Sequence, residues 1–183
     1  KGKLIMPCGS GKSLVGFWIA QELQAQKILI SVPSLALIRQ TLEVWARESL
    51  AINKSFKWIV VCSDQTVTEA EEDTVAEHIQ DLGIRVETDE EKISRWLIQN
   101  RNISTIVFTT YQSSQKLSNA VSKANVSFDF GILDEAHKTA TRVNRMFSTL
   151  LFDDNVQIDK RLFMTATERF YRGASDDIAS MDK

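Results

Sequence analysis

The 183-residue sequence is short of several things, and each shortage closes off a class of answer. Cys8 and Cys62 are its only cysteines, which gives neither a disulfide framework nor a metal-ligand pair and fits a reducing, cytoplasmic setting. No apolar run approaches the ~18 residues that a membrane-spanning helix needs, so no membrane partner is expected. There is no charged-then-apolar leader ending in small residues, so secretion is unsupported. Internal repeats and low-complexity tracts are lacking as well. What is present is 43% hydrophobic and 25% charged, too apolar for a disordered chain and enough for one well-buried domain over 1–183. The chain opens on Lys1 rather than Met and runs straight into a strand, so it reads as a piece of something longer.

The formal net charge of -2 is bland, but its distribution is not. Residues 64–101 carry 11 acids and 4 bases, or -7, which leaves +5 for the rest of the chain. A mildly basic body with one acidic excursion is compatible with nucleic-acid contact without demanding it. The acidic stretch reads as a solvated surface insertion, and His78 within it as exposed.

Short apolar runs alternate with longer stretches of helical spacing. Strands are expected at Leu4–Met6, Ile28–Val32, Trp58–Cys62, Thr105–Thr109, Phe130–Leu133 and Arg161–Met164. Helices are expected over Lys12–Ala25, Ser34–Glu48, Glu90–Gln99, Ser113–Lys123 and Arg142–Leu151. Near-continuous apolar strands between amphipathic helices predict an α/β fold with a mostly parallel central sheet covered on both faces.

Two segments carry chemistry. Met6-Pro7-Cys8-Gly9-Ser10-Gly11-Lys12-Ser13 lies between a strand and a helix. Gly9 and Gly11 free the backbone to turn successive N–H groups around an anion, and the helix adds its positive dipole end. Lys12 would reach the β- and γ-phosphates of a nucleotide, and the Ser13 hydroxyl would ligate Mg²⁺. The strict pattern G-x-x-x-x-G-K-[ST] is missed at its first position, held here by Met6. The second segment is Asp134-Glu135-Ala136-His137, at the end of the apolar run Phe130–Leu133. Adjacent acids leaving a buried strand point different ways, so one can hold Mg²⁺ and the other orient an attacking water.

Together these segments resemble the first RecA-like domain of a superfamily 2 helicase or translocase of the DEAD/DEAH type. That superfamily tolerates a small or apolar residue at the first phosphate-loop position, and Asp134-Glu135-Ala136-His137 matches its acid motif letter for letter. Thr165-Ala166-Thr167 matches the motif that links nucleotide state to domain movement. Pro33, Ser34, Leu37 and Gln40 match one nucleic-acid-contacting motif, and Thr109-Thr110-Tyr111-Gln112-Ser113 another. The wording is similar to that of type I and type III restriction-enzyme motor subunits and related bacterial helicases. Glu168 departs from the family, which usually has Pro there.

The resemblance implies a RecA-like P-loop NTPase domain using ATP and Mg²⁺. It implies a nucleotide cradle of Pro7, Cys8, Gly9, Ser10, Gly11, Lys12, Ser13 and Leu14, with Ser13 and Asp134 on the metal. Lys12, Asp134 and Glu135 would be catalytic, and His137, Thr165, Ala166 and Thr167 would couple. Pro33, Ser34, Gln40, Thr109, Thr110, Tyr111 and Gln112 would contact nucleic acid. Implied partners are DNA, a second RecA-like domain in the same parent chain, and nuclease or methyltransferase modules. A nucleotide-dependent switch that binds nucleic acid without stepping, and an RNA helicase, stand beside the DNA motor. A P-loop small-molecule kinase ranks below them, because the only lid-like segment is acidic. Lys138, Arg142, Arg145, Arg169 and Arg172 read as a solvated basic face.

Overall fold

Apolar runs too short to make helices pair side by side, so that their backbone groups are satisfied in one ladder. In the computed structural model, which describes residues 1–62, 86–135 and 149–166, these runs are β1 (Gly2–Ile5), β2 (Lys27–Val32), β3 (Lys57–Val61), β4 (Val86–Glu87), β5 (Thr105–Thr110), β6 (Phe128–Leu133) and β7 (Ile158–Thr165). They form one sheet in the order β1-β7-β6-β2-β5-β3-β4, and every neighbouring pair is parallel. All strand C-termini therefore open onto one edge of the sheet.

Among the described residues four helices cover it: α1 (Lys12–Glu22), α2 (Leu35–Ala51), α3 (Glu90–Gln99) and α4 (Ser114–Ala124). The two-residue period of β2 sends Ile28, Ile30 and Val32 to a core shared with Phe17 of α1 and with Ile38 and Trp45 of α2. Leu29 points the other way, onto Ile93 and Leu97 of α3 and Leu117 and Val121 of α4. The expected α/β architecture, parallel and covered on both faces, is what the chain adopts.

Some boundaries differ. The first helix ends at Glu22 rather than Ala25, because Gln24 turns into the left-handed region at φ 52°. β7 begins three residues before the expected Arg161, its start masked in the sequence by exposed Asp159 and Lys160. Of the helix expected over Arg142–Leu151, the described part is a 3-10 turn, Thr149–Leu151.

The acidic insertion expected over 64–101 is corrected in its second half. Residues 86–101 belong to the fold: β4 extends the sheet beside β3, and α3 buries Ile93 and Leu97. The acids there do structural work at a helix start. Asp89 caps α3, its Oδ1 accepting from the N–H groups of Glu91 at 2.8 Å and Lys92 at 3.1 Å. Glu90 and Glu91 occupy the first turn, where the helix dipole favours them, and Lys123 of α4 reaches them at 3.7 and 2.6 Å. Residues 64–85 of the window, with His78, lie outside the described residues.

Two polar devices fix strands away from the C-terminal edge. Asp129 Oδ2 accepts from the N–H groups of Gln26 and Lys27 at 2.7 and 2.8 Å, setting β6 against the start of β2. Arg161 of β7 donates to the carbonyls of Leu150, Ile158 and Val156, each at 3.0 Å, and to Asp153 at 2.6 Å. Among the described residues no helix is long and apolar enough to cross a membrane.

Candidate active site

β1 ends at Ile5, and the chain crosses to α1 through six residues. Gly9 and Gly11 take φ of 75° and 91°, backbone that residues with a Cβ rarely adopt, and a Cβ at either would meet nothing within 4 Å. The loop is thus an open concavity. Gly11 caps α1 without any side-chain hydrogen bond, and the first turn carries no acid, so the helix presents uncapped N–H groups and an unopposed dipole end. Pro7, Cys8, Gly9, Ser10 and Gly11 are exposed, while Lys12, Ser13 and Leu14 are half-buried. Ser10 braces the loop, its hydroxyl donating to the Pro7 carbonyl at 2.6 Å. Lys12 folds back over it, with Nζ 3.3 Å from the Met6 carbonyl and 3.5 Å from that of Pro7. Ser13 Oγ is buried and has no hydrogen-bond partner among the described residues. Trp45 of α2 steadies this turn from behind, its indole N–H donating to the Ser13 carbonyl at 3.2 Å.

The acid pair lies two strands away. β7 runs between β1 and β6, pairing Ile5 with Thr165 on one side and Leu133 with Phe163 on the other. Thr165 is fully buried and its carbonyl accepts from the Met6 N–H at 3.1 Å, so β7 holds the root of the phosphate loop. Ala166 is half-buried beyond it. Ala136, His137, Thr167 and Glu168 lie outside the described residues, as do Lys138, Arg142, Arg145, Arg169 and Arg172.

Asp134 and Glu135 follow β6. Burial pushes the Asp134 carboxyl above the usual carboxylate range; the Glu135 N–H and the Lys12 charge pull the other way, and the Glu135 charge adds to the rise. Glu135 Oε1 stands 3.8 Å from Lys12 Nζ, which joins the two segments across the strand between them. The Asp134–Glu135 peptide is held on both sides. Its N–H donates to Asp134 Oδ1 at 2.9 Å, and its carbonyl accepts from the Tyr111 hydroxyl at 2.6 Å. Glu135 itself has φ 51°, in the left-handed region.

The two expected nucleic-acid motifs leave neighbouring strands, β2 and β5, with Val32 opposite Thr110. Pro33 and Ser34 are half-buried and Gln40 is exposed on α2. Ser34 caps α2, its Oγ accepting from the Leu37 N–H at 3.4 Å, which leaves its own O–H free to donate. The side chains of the second motif point mostly inward. Thr109, Thr110 and Tyr111 are wholly buried. Thr109 donates to the Thr110 carbonyl at 3.1 Å, Thr110 shares a hydrogen bond with Ser113 at 2.8 Å, and Tyr111 turns inward to Asp134. Gln112 is half-buried, and its Oε1 has no hydrogen-bond partner among the described residues. Spacing alone gave no sign that Tyr111 belongs to the acid pair; only the pairing of β5 with β2, and of β2 with β6, brings them together.

Among the described residues no group of three or more His, Cys, Asp and Glu side chains forms a metal site of its own. A divalent cation would share Ser13 Oγ and Asp134 with phosphate and water oxygens, the sparse protein ligation that Mg²⁺ favours. The partnerless Ser13 hydroxyl and the open cradle fit a Mg²⁺-bound nucleotide.

A parallel sheet with a glycine loop after its edge strand and an acid pair two strands across defines a RecA-like P-loop NTPase domain. The comparisons with known proteins narrow the class. The sequence model of the type III restriction enzyme res-subunit family (ResIII) matches residues 1–170, and the chain belongs to that family. Probable helicases of African swine fever virus are 32% identical in one isolate and 30% in another, over 168 residues that make up 91% of this chain and 17% of theirs. A nuclease-deletion mutant of the type ISP restriction-modification enzyme LlaGI, solved with a DNA substrate mimic, superposes over 100% of this chain and 16% of its own, with TM-score 0.68 and 28% identity. The Pyrococcus furiosus Hef helicase domain shares the fold over 94% of this chain and 30% of its own, with TM-score 0.58 and 17% identity. The chain is a first RecA-like domain of the superfamily 2 helicase type, near the restriction-enzyme motor subunits, as the motifs implied. It spans about a sixth of the length of the viral helicases and of LlaGI.

Proposed function

We propose that the chain binds and hydrolyses ATP as half of a DNA helicase or translocase. The observation that carries this reading is the meeting of Lys12 and Glu135, 3.8 Å apart, above an open glycine loop and beside the partnerless Ser13 hydroxyl. Loop amides and Lys12 take the phosphates, while Ser13 and Asp134 take Mg²⁺. The cation would supply charge neutralisation on the phosphate oxygens. A γ-phosphate competes for the lysine that Glu135 holds, which frees the glutamate to orient a water for in-line attack.

Thr165, Ala166, Thr167 and His137 are proposed to relay the nucleotide state to a second RecA-like domain in the parent chain. Nucleic acid would lie over the C-terminal edge of the sheet, touching the Ser34 hydroxyl, Gln40, Gln112 and backbone N–H groups near Pro33. Contacts of that kind go to phosphate and read little sequence. DNA is proposed over RNA because LlaGI, at 28% identity, was solved with a DNA substrate mimic. Nuclease or methyltransferase modules in the parent remain part of the proposal. The relatives are viral as well as restriction enzymes, so they lend nothing to a bacterial, cytoplasmic source.

The test is the ATPase rate of the full-length protein with duplex DNA, single-stranded DNA, RNA or none, beside Glu135→Gln. Turnover raised by DNA and abolished in the variant is expected. Turnover indifferent to every nucleic acid would replace the motor with a nucleotide switch, and a rate raised by RNA alone would make it an RNA helicase.

A further inference from the structure

We propose that Tyr111 is a positioning residue for Glu135, acting as a lock on the orientation of the Asp134–Glu135 peptide. The inference rests on the ATPase reading above and adds to it a residue whose side chain touches neither nucleotide nor nucleic acid.

The geometry is specific to one peptide unit. Its carbonyl takes the Tyr111 hydroxyl at 2.6 Å, and its N–H donates to Asp134 Oδ1 at 2.9 Å. A peptide plane turns as one body, since its own bond is rigid, so two bonds on opposite sides hold it against flipping. The plane needs holding, because it delivers Glu135 at φ 51°, a conformation unfavourable for a residue with a Cβ. Freed of that hold, φ at Glu135 can relax out of the left-handed region, and that rotation would turn the glutamate away from Lys12.

The lock has a second end. Tyr111 opens the 3-10 turn after β5, in the segment proposed to lie beneath nucleic acid. A shift of that turn reaches the catalytic glutamate through one side chain and one peptide. The segment therefore acts on hydrolysis from below, through its buried tyrosine, while only Gln112 and backbone face a ligand.

Tyr111→Phe in the full-length protein tests this, since it removes one oxygen and keeps the packed ring. The expected result is a DNA-stimulated kcat lower by roughly tenfold, about the effect of one well-placed hydrogen bond, with KM for ATP and the affinity for a fluorescent ATP analogue unchanged. Hydrogen exchange of the Glu135 amide should quicken by a similar factor, roughly tenfold, while exchange across β2 and β5 stays as in the wild type. Unchanged kcat and unchanged Glu135 exchange would overturn the proposal. So would a variant that loses nucleotide affinity and protection throughout the sheet, which would make Tyr111 only a packing residue. If the wild type hydrolyses no ATP, the ATPase reading fails, and the exchange measurement still decides the lock.

Discussion

Asp134, as a proposed cation ligand, illustrates how a half-buried carboxyl can serve a cation at the cost of the empty site. Its folded pKa lies above the unfolded one, so protonation favours the free protein. That share of stability is present below the unfolded value and is lost as the pH rises through the folded value. A cation reverses the preference, because it binds the ionised form. Affinity for Mg²⁺-nucleotide should therefore fall on acidification from a pH above the usual carboxylate range. Asp134→Asn should bind more weakly and lose that dependence, as read by fluorescent-nucleotide titration between about pH 5 and pH 8. Gly11 gives a different kind of prediction. With φ 91° and no atom within 4 Å of an added Cβ, Gly11→Ala meets backbone strain and no clash. A loss of about 1 kcal/mol in urea unfolding is expected, with weaker nucleotide binding because the loop relaxes out of its cradle. Cys8 is exposed within the same loop. Alkylating it should block nucleotide binding by bulk alone, and bound nucleotide should slow the alkylation; equal rates with and without nucleotide would place the phosphates elsewhere.

Among the elements, β7 concentrates the consequences. Arg161 is buried while its partner Asp153 is 68% exposed, so the ion pair itself counts for little. What matters is that the guanidinium satisfies three carbonyls, of Leu150, Val156 and Ile158. Arg161→Met should cost about 3 kcal/mol or more, and Asp153→Asn less than about 1 kcal/mol, in the same unfolding measurement. Equal losses would mean that the charge pair and not the carbonyl clamp holds the turn. Elements also show what could be read ahead of the structure. Strands buried on both faces, such as β2 and β5, are legible because every residue must be apolar or small. β4 is not, since Val86 and Glu87 gain strand geometry only from β3 beside them. The acidic surroundings of α3 looked like solvated surface because a helix cap and a cross-helix pair use the same residues as a polar loop. At the candidate site, Lys12, Ser13, Asp134 and Glu135 stood out in the sequence because the chemistry proposed for them demands fixed types at fixed spacing. The role of Tyr111 was not, because a hydroxyl aimed at a carbonyl two strands away leaves no trace in spacing.

At the scale of the whole molecule, the proposed function makes the site one half of a two-domain motor. The five arginines among the described residues are engaged away from it: Arg39 with Glu43, Arg47 with Glu48, Arg95 with the Glu91 carbonyl, Arg101 with that of Ala124, and Arg161 in the β7 clamp. An arginine finger from a second domain can raise the rate roughly 10³- to 10⁵-fold. These 183 residues alone should bind nucleotide yet turn it over slowly and fail to unwind a duplex, as single-turnover and strand-displacement assays would read. Robust unwinding by them would end the two-domain view.

The place of β7 between β1 and β6 carries a further consequence, one of time rather than space. Among the described residues the strand that roots the phosphate loop has β7 for its only neighbour in the sheet, and Ile5 meets Thr165 across 160 positions of sequence. On a ribosome β1 emerges ahead of the other described strands, and β2, β5 and β6 can begin to pair while β1 still waits for β7. The nucleotide cradle thus takes shape late, although its residues are synthesised before those of β2 to β7. A nascent chain halted before Ile158 should retain no ATP, however much of its sheet has already formed.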